Sequence, residues 1–173
     1  LLGPLLGKYG HVDIAMPGGD DFGSRPIDLH VAGLEAMGAV FDLNRDGVKA
    51  TATHLHGAEI TLTFPSVGAT ENILMAAALA DGVTIIDNAA REPEIGDLCS
   101  MLNKMGAKIA GVGTGKMTIT GVMPNELHSV DHEVINDRVQ AATYIAAVAV
   151  AGGDVFVRGA RAEHCDFPRR PLF

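Results

Sequence analysis

Cysteine is scarce in this 173-residue chain. Cys99 and Cys165 stand far apart with no C-x-x-C spacing, which argues against a disulfide framework or a zinc site and fits a reducing cytoplasm. Basic charge is also short: 13 Lys and Arg face 21 Asp and Glu, for a net charge of −8. Nucleic acid and anionic membranes both require a basic face, so neither is expected as the main partner. No apolar run reaches the roughly 20 residues of a membrane-spanning helix. The stretch AATYIAAVAVAG at 141–152 is predicted to be a short buried helix. The opening residues do not read as a signal peptide, and none is expected. The opening in mid-pattern at Leu1 predicts a piece of a longer chain. Neither G-x-x-x-x-G-K-[ST] nor G-x-S-x-G occurs, so no P-loop and no serine nucleophile elbow is expected. His54-x-His56 has no third ligand at sensible spacing, and no metal is expected.

What is present is a packed-core composition, 47% hydrophobic and 20% charged, in which helix and strand patterns alternate. VDIAMPGG (12–19) reads as a strand entering a glycine turn. RPIDLHVAGLEAMGA (25–39) reads as a helix, with Ile27, Val31, Leu34 and Met37 near 3.6-residue spacing and Gly38 as its stop. VFDLN, VKATAT and AEITLTF alternate with period 2 and predict strands. Helices are expected over 68–82 and 92–107, strands at VTIID (83–87) and up to TITGV (118–122), a polar linker over 123–137, then a helix and a strand at DVFVRG. His128, His132 and Glu133, in the linker, are expected to be solvated. AGLEAMGAVF (32–41) echoes SMLNKMGAKI (100–109), aligning Leu34 with Leu102, Met37 with Met105 and Gly38 with Gly106; ALADGVTIIDNA (78–89) echoes AVAGGDVFVRGA (149–160). The repeats predict copies of one helix-and-strand unit, with parts of three in the chain.

Three loops could carry chemistry. In PGGDDFGSRP, Gly18 and Gly19 let backbone amides turn toward an anion, Arg25 offers a planar charged fork at a helix start, and Asp20 and Asp21 are adjacent carboxylates, one of which could act as a general acid if its pKa is raised. A solvated, helix-capping turn is the alternative. Asp28 either starts the helix or accepts a hydrogen bond from a ligand. In FPSVGATEN (64–72), Ser66, Gly68 and Thr70 could present a hydroxyl and amides to a phosphate, or Ser66 could cap the next helix. In NAAREPEI (88–95), Arg91, Glu92 and Glu94 read first as a capped helix start.

Taken together, LLGPLLGKYG, MPGGDDFGSRPIDLHVAGLEAMGA, FPSVGATENILMAAALADGVTIIDNAAREPEI and VINDRV resemble the UDP-N-acetylglucosamine 1-carboxyvinyltransferase family. The resemblance covers about residues 1–160. It implies an α/β fold, the inside-out α/β barrel of the enolpyruvyl transferases, incomplete here: most of the last two units of one domain over 1–134, and the start of the second over 135–173. It implies transfer of the enolpyruvyl group of phosphoenolpyruvate to the 3-hydroxyl of UDP-N-acetylglucosamine, with release of phosphate, as the first committed step of peptidoglycan synthesis in the cytoplasm. These two small molecules are the implied substrates, the rest of the parent chain the implied partner, and no cofactor is implied. The family's loop acid, usually cysteine, falls on Asp20; an aspartate variant exists in the family, and lacking the soft nucleophile it implies fosfomycin resistance. Nucleotide-sugar contacts fall on Arg25, Pro26, Ile27, Asp28, Leu29, Ser66 and Val67. A lysine common in the family is replaced by Phe64, and the ending HCDFPRRPLF departs from the expected helix. With part of the family's active site outside these residues, no turnover by this chain alone is expected. The alternatives are the sister enzyme acting on shikimate 3-phosphate, against which SRPIDLH and NAAREPEI argue, and a non-catalytic nucleotide-sugar binding module.

Overall fold

The computed structural model describes residues 1–15, 27–44 and 47–165. The chain divides into two compact units, Leu1–His132 and Glu133–Phe173. The first is a mixed α/β body that follows one path twice. Helix α1 (Leu2–Tyr9), strand β1 (His11–Ala15), helix α2 (Asp28–Ala36) and strands β2 (Val40–Leu43) and β3 (Gly47–Thr51) make the first pass. The second starts one strand earlier, with β4 (Glu59–Thr61), then repeats as α3 (Val67–Ala77), β5 (Val83–Asp87), α4 (Pro93–Met105), β6 (Lys108–Ala110) and β7 (Lys116–Thr120).

The strand orders match. β1-β3-β2 is fully antiparallel, with β3 central; β5-β7-β6 repeats that order, and β4 adds to β5 in parallel. The joints match as well. Gly38 (φ 95°) and Gly106 (φ 114°) end α2 and α4 in the left-handed region that glycine enters without steric cost. The next amides, of Ala39 and Ala107, donate back to the carbonyls of Leu34 and Leu102 at 3.0 and 2.9 Å. The Met37 and Met105 carbonyls accept from the amides of His56 and His128 at 3.0 and 2.9 Å. The methionine-glycine-alanine echo in the sequence is therefore a repeat of helix termination and of the tether that follows it.

The core lies between the helices and the two sheets. α3 packs against α1, α2 and α4, and Ala69, Ile73, Leu74, Ala76 and Ala77 on it are buried. Small residues let its neighbours approach: a Cβ on Gly3 of α1 would overlap the Asn72 carbonyl oxygen, and one on Gly33 of α2 would overlap the end of Ile73. The buried Thr70 hydroxyl accepts from the Ala90 amide at 3.1 Å. It fixes the loop after β5 to α3 and faces no solvent, so of the hydroxyls at this helix start only Ser66 remains open to a phosphate.

The second unit holds helix α5 (Arg138–Ala151), capped by Asp137, whose side chain accepts from the amides of Val139 and Gln140. Two sequence expectations fail here. DVFVRG forms no strand, because the described residues of this unit offer no strand to pair with it; a lone strand leaves its backbone groups to water. α5 is not buried: Ala141 is its one buried residue, and Val139, Tyr144, Ile145 and Val150 are exposed. The same unit supplies α5 with no sheet, only a 3-10 turn at Ala162–Cys165. Among the described residues no helix is long and apolar enough to cross a membrane.

Candidate functional site

Asp20, Arg25 and Pro26 lie outside the described residues. The remaining predicted positions fall on the first turns of two neighbouring helices. Ile27 is the N-cap of α2 and Asp28 an exposed residue in its first turn, while Leu29 is half-buried and, with Ile27, packs against the core. Ser66 is the N-cap of α3: its hydroxyl accepts from the Ala69 amide at 3.3 Å. Its own O–H is left to donate elsewhere. Val67 is half-buried on the same core.

A side-chain amide joins these two helix starts. Asn72, one turn into α3, uses Oδ1 to accept from the Gly3 amide at 2.9 Å. Its Nδ2 donates to the Gly68 carbonyl at 3.2 Å and meets His30 Nδ1 at 3.0 Å. Segments more than 30 residues apart in sequence, 27–30 and 66–72, thus share one hydrogen-bonded knot. Sequence reading missed both His30 and Asn72, because nothing local in TEN or DLH announces a bond across the fold.

Behind Ser66 the loop after β5 lines a surface cleft of about 460 Å³ with Pro65, Asn88, Arg91 and Glu92. Asn88 takes a left-handed backbone (φ 56°), which asparagine tolerates better than most residues, and donates from Nδ2 to the Leu62 carbonyl at 2.9 Å. Glu92 Oε2 accepts from the Arg91 amide at 2.9 Å, and the Arg91 guanidinium lies against Gly115. Arg91 and Glu92 therefore line the cleft, and Glu92 is the N-cap of α4 by position, without a side-chain cap bond.

Two titratable groups near α3 are displaced in opposite senses. Burial, reinforced by the positive amino terminus and opposed by Asp28, lowers the His30 pKa below 6.5. Burial, with Glu94 adding to it, raises the Glu71 pKa above 4.5. The folded state thus holds the Glu71 proton more tightly than the unfolded chain does. Its contribution to stability is complete below pH 4.5 and is lost as pH rises through the folded-state pKa. Glu71→Gln is expected to raise the melting temperature at neutral pH and to flatten the pH dependence just above 4.5; thermal melts across that range check both effects.

Other candidate groups resolve differently. Cys99 is buried on α4, and burial pushes its thiol up to about 11, which makes it inert as a nucleophile. His132, expected in solvent, is instead enclosed: its side chain is 7% exposed and its Nε2 pairs with Asp97 Oδ1 of α4 at 3.0 Å, while Lys104 Nζ stands 3.4 Å from Nδ1. Among the described residues no three His, Cys, Asp or Glu side chains converge as metal ligands.

Solved structures share this architecture. The enolpyruvyl transferase NikO from Streptomyces tendae superposes with a TM-score of 0.69 at 24% identity, over 83% of this chain and 34% of its own. An EPSP synthase from Acinetobacter baumannii gives 0.62 at 24% identity over 87% of this chain and 34% of its own, and a second structure of EPSP synthase from the same organism gives 0.60 at 23% over 85% and 34%. The chain spans about a third of the length of each. At this identity the likeness is one of fold. The sequence itself matches, over residues 1–169, the family described as EPSP synthase (3-phosphoshikimate 1-carboxyvinyltransferase), and with nearly the whole chain inside that match, the chain belongs to this enolpyruvyl transferase family.

Proposed function

We propose that this chain is part of an enolpyruvyl transferase that moves the enolpyruvyl group of phosphoenolpyruvate to the 3-hydroxyl of UDP-N-acetylglucosamine and releases phosphate. The observation that supports this reading is the knot at Asn72, which brings residues 27–30 beside the start of α3. Arg25 holds an anionic oxygen through its guanidinium fork. Ile27, Asp28, Leu29, Ser66 and Val67 receive the nucleotide sugar. The Asp20 carboxyl gives its proton to the methylene carbon of phosphoenolpyruvate while the sugar oxygen adds to the neighbouring carbon and its proton passes to a base in the rest of the parent chain. Loss of a proton from the new methyl group then expels phosphate and restores the double bond. That role requires an Asp20 pKa raised toward neutrality. The parent fold in this reading is the inside-out α/β barrel, and the parent enzyme resists fosfomycin because a carboxylate is a poor target for alkylation.

A second reading takes shikimate 3-phosphate as the acceptor. The description of the matched family and the two Acinetobacter structures favour it. Calorimetric titration separates the two. Saturable binding of UDP-N-acetylglucosamine is expected, about 10- to 100-fold weaker in Arg25→Ala, the range for losing charged hydrogen bonds. Binding of shikimate 3-phosphate with no affinity for the sugar nucleotide would sink the first reading in favour of the second.

A further inference from the structure

We infer that Asn72 is a positioning residue that locks His30 in the neutral tautomer carrying its proton on Nε2, and that this Nε2–H is offered as a hydrogen-bond donor to an acceptor oxygen of the sugar nucleotide. The ligand part of the inference rests on the function proposed above. The positioning part rests on the hydrogen bonds alone.

The argument starts from two backbone groups whose roles are fixed by chemistry. The Gly3 amide can only donate, so the Asn72 atom 2.9 Å from it is the carbonyl oxygen. The Gly68 carbonyl can only accept, so the atom 3.2 Å from it is the amide nitrogen. Together they set the orientation of the side-chain amide without reference to the histidine. The same nitrogen lies 3.0 Å from His30 Nδ1. That nitrogen carries only N–H groups and can only donate, so Nδ1 must face it with a lone pair. A proton there would set two N–H groups against each other. In the neutral ring the remaining proton sits on Nε2. The lowered pKa of His30 agrees, since the charged ring would need a proton at Nδ1.

The imidazole edge carrying Nε2 lies beside Gly68 in the first turn of α3, close enough that Cε1 would crowd a Cβ placed there while Nε2 would touch it. No described residue accepts from Nε2, and His30 is half-buried, not enclosed. A neutral donor therefore opens between the two segments assigned to the nucleotide sugar. Because it is neutral, it suits an acceptor oxygen without adding to the cation at Arg25.

Nitrogen-15 labelling of the histidines in the full chain reads the tautomer directly, from the long-range couplings of the ring nitrogens. Wild type is expected to show His30 protonated at Nε2 and bare at Nδ1 without ligand. Asn72→Asp keeps the shape and the acceptor for Gly3 but places an oxygen against Nδ1, so the proton is expected to appear on Nδ1. Titration with UDP-N-acetylglucosamine then tests the donor. His30→Phe is expected to bind about 3- to 10-fold more weakly, the range for one hydrogen bond. His30→Gln, whose amide can donate from near the same place, should recover part of that loss. A wild-type His30 protonated at Nδ1 overturns the inference, as does equal binding by a folded His30→Phe. If wild type shows the Nε2 tautomer but binds no sugar nucleotide, the functional reading has failed and its ligand goes with it, while the Asn72 lock stands.

Discussion

Replacing Ile73 by alanine is expected to lower the unfolding free energy by about 3 to 4 kcal/mol, within the range found for removing a buried branched side chain. Ile73 is fully buried in the middle of α3, and its outer carbons press on Gly33 of α2. The truncation removes one of the contacts between the two helices. Deleting those carbons therefore forfeits contacts within α3's own shell and across to α2, and a close-packed interior refills little of the gap. Gly33→Ala errs in the other direction. Its new methyl would overlap the end of Ile73 and should cost about 1 to 3 kcal/mol. The two sites touch, so their effects are not expected to add. Ile73→Val, which removes the Cδ1 methyl nearest the new methyl, should offset part of the Gly33→Ala loss. Urea titrations of wild type, Gly33→Ala, Ile73→Val and the double variant measure that coupling, and strictly additive values would show that the helices do not meet as described.

Gly121→Ala is expected to cost about 3 kcal/mol or more, at the upper end for overpacking. The repeat supplies its own control. Gly121 and Ala52 follow the last strands of the two passes, and their amides donate to the carbonyls of Gly82 and Gly10 at 2.9 and 2.8 Å. In the first pass the position carries a methyl, which is buried. In the second, a Cβ would overlap the Ala80 carbonyl oxygen beyond the end of α3. The obstacle is backbone, which cannot rotate aside like a side chain. Val122 also donates to the Ala78 carbonyl at 3.0 Å, so the strand cannot lift away without losing a second bond. Ala52→Gly should cost less, about 1 to 2 kcal/mol, the entropic penalty of glycine plus the loss of one buried methyl. Equal losses at the two sites in thermal unfolding would refute the asymmetry.

The sequence revealed most where the physics is local. α2 and α4 begin and end within a few residues of their predicted limits because Gly38 and Gly106 terminate them by backbone conformation. Strands β2, β3 and β4 fall on the three segments read from period-2 alternation. Burial was less legible. An apolar stretch such as α5 reads as buried only if something covers it, and periodicity does not say what is available to do so. Side-chain pairing was least legible. Asn72 meets His30, and Asp97 encloses His132, across separations that only the tertiary fold closes. Ser66 was open to two readings and does cap its helix. Arg25 and Asp20, on which the proposed chemistry depends, carry their case in motif alone.

The interleaved order of both sheets has a consequence for vectorial synthesis. Each pass makes two strands that cannot touch until a third, made last, slides between them: β3 joins β1 to β2, and β7 joins β5 to β6. A nascent chain that has emerged only as far as β2 or β6 therefore shows open ladder edges and the apolar faces behind them, the surfaces on which half-made proteins adhere to one another. Once Thr51 or Thr120 clears the ribosome, the last strand can zip both neighbours at a stroke. Slow codons should be tolerated just after those points and harmful just before them.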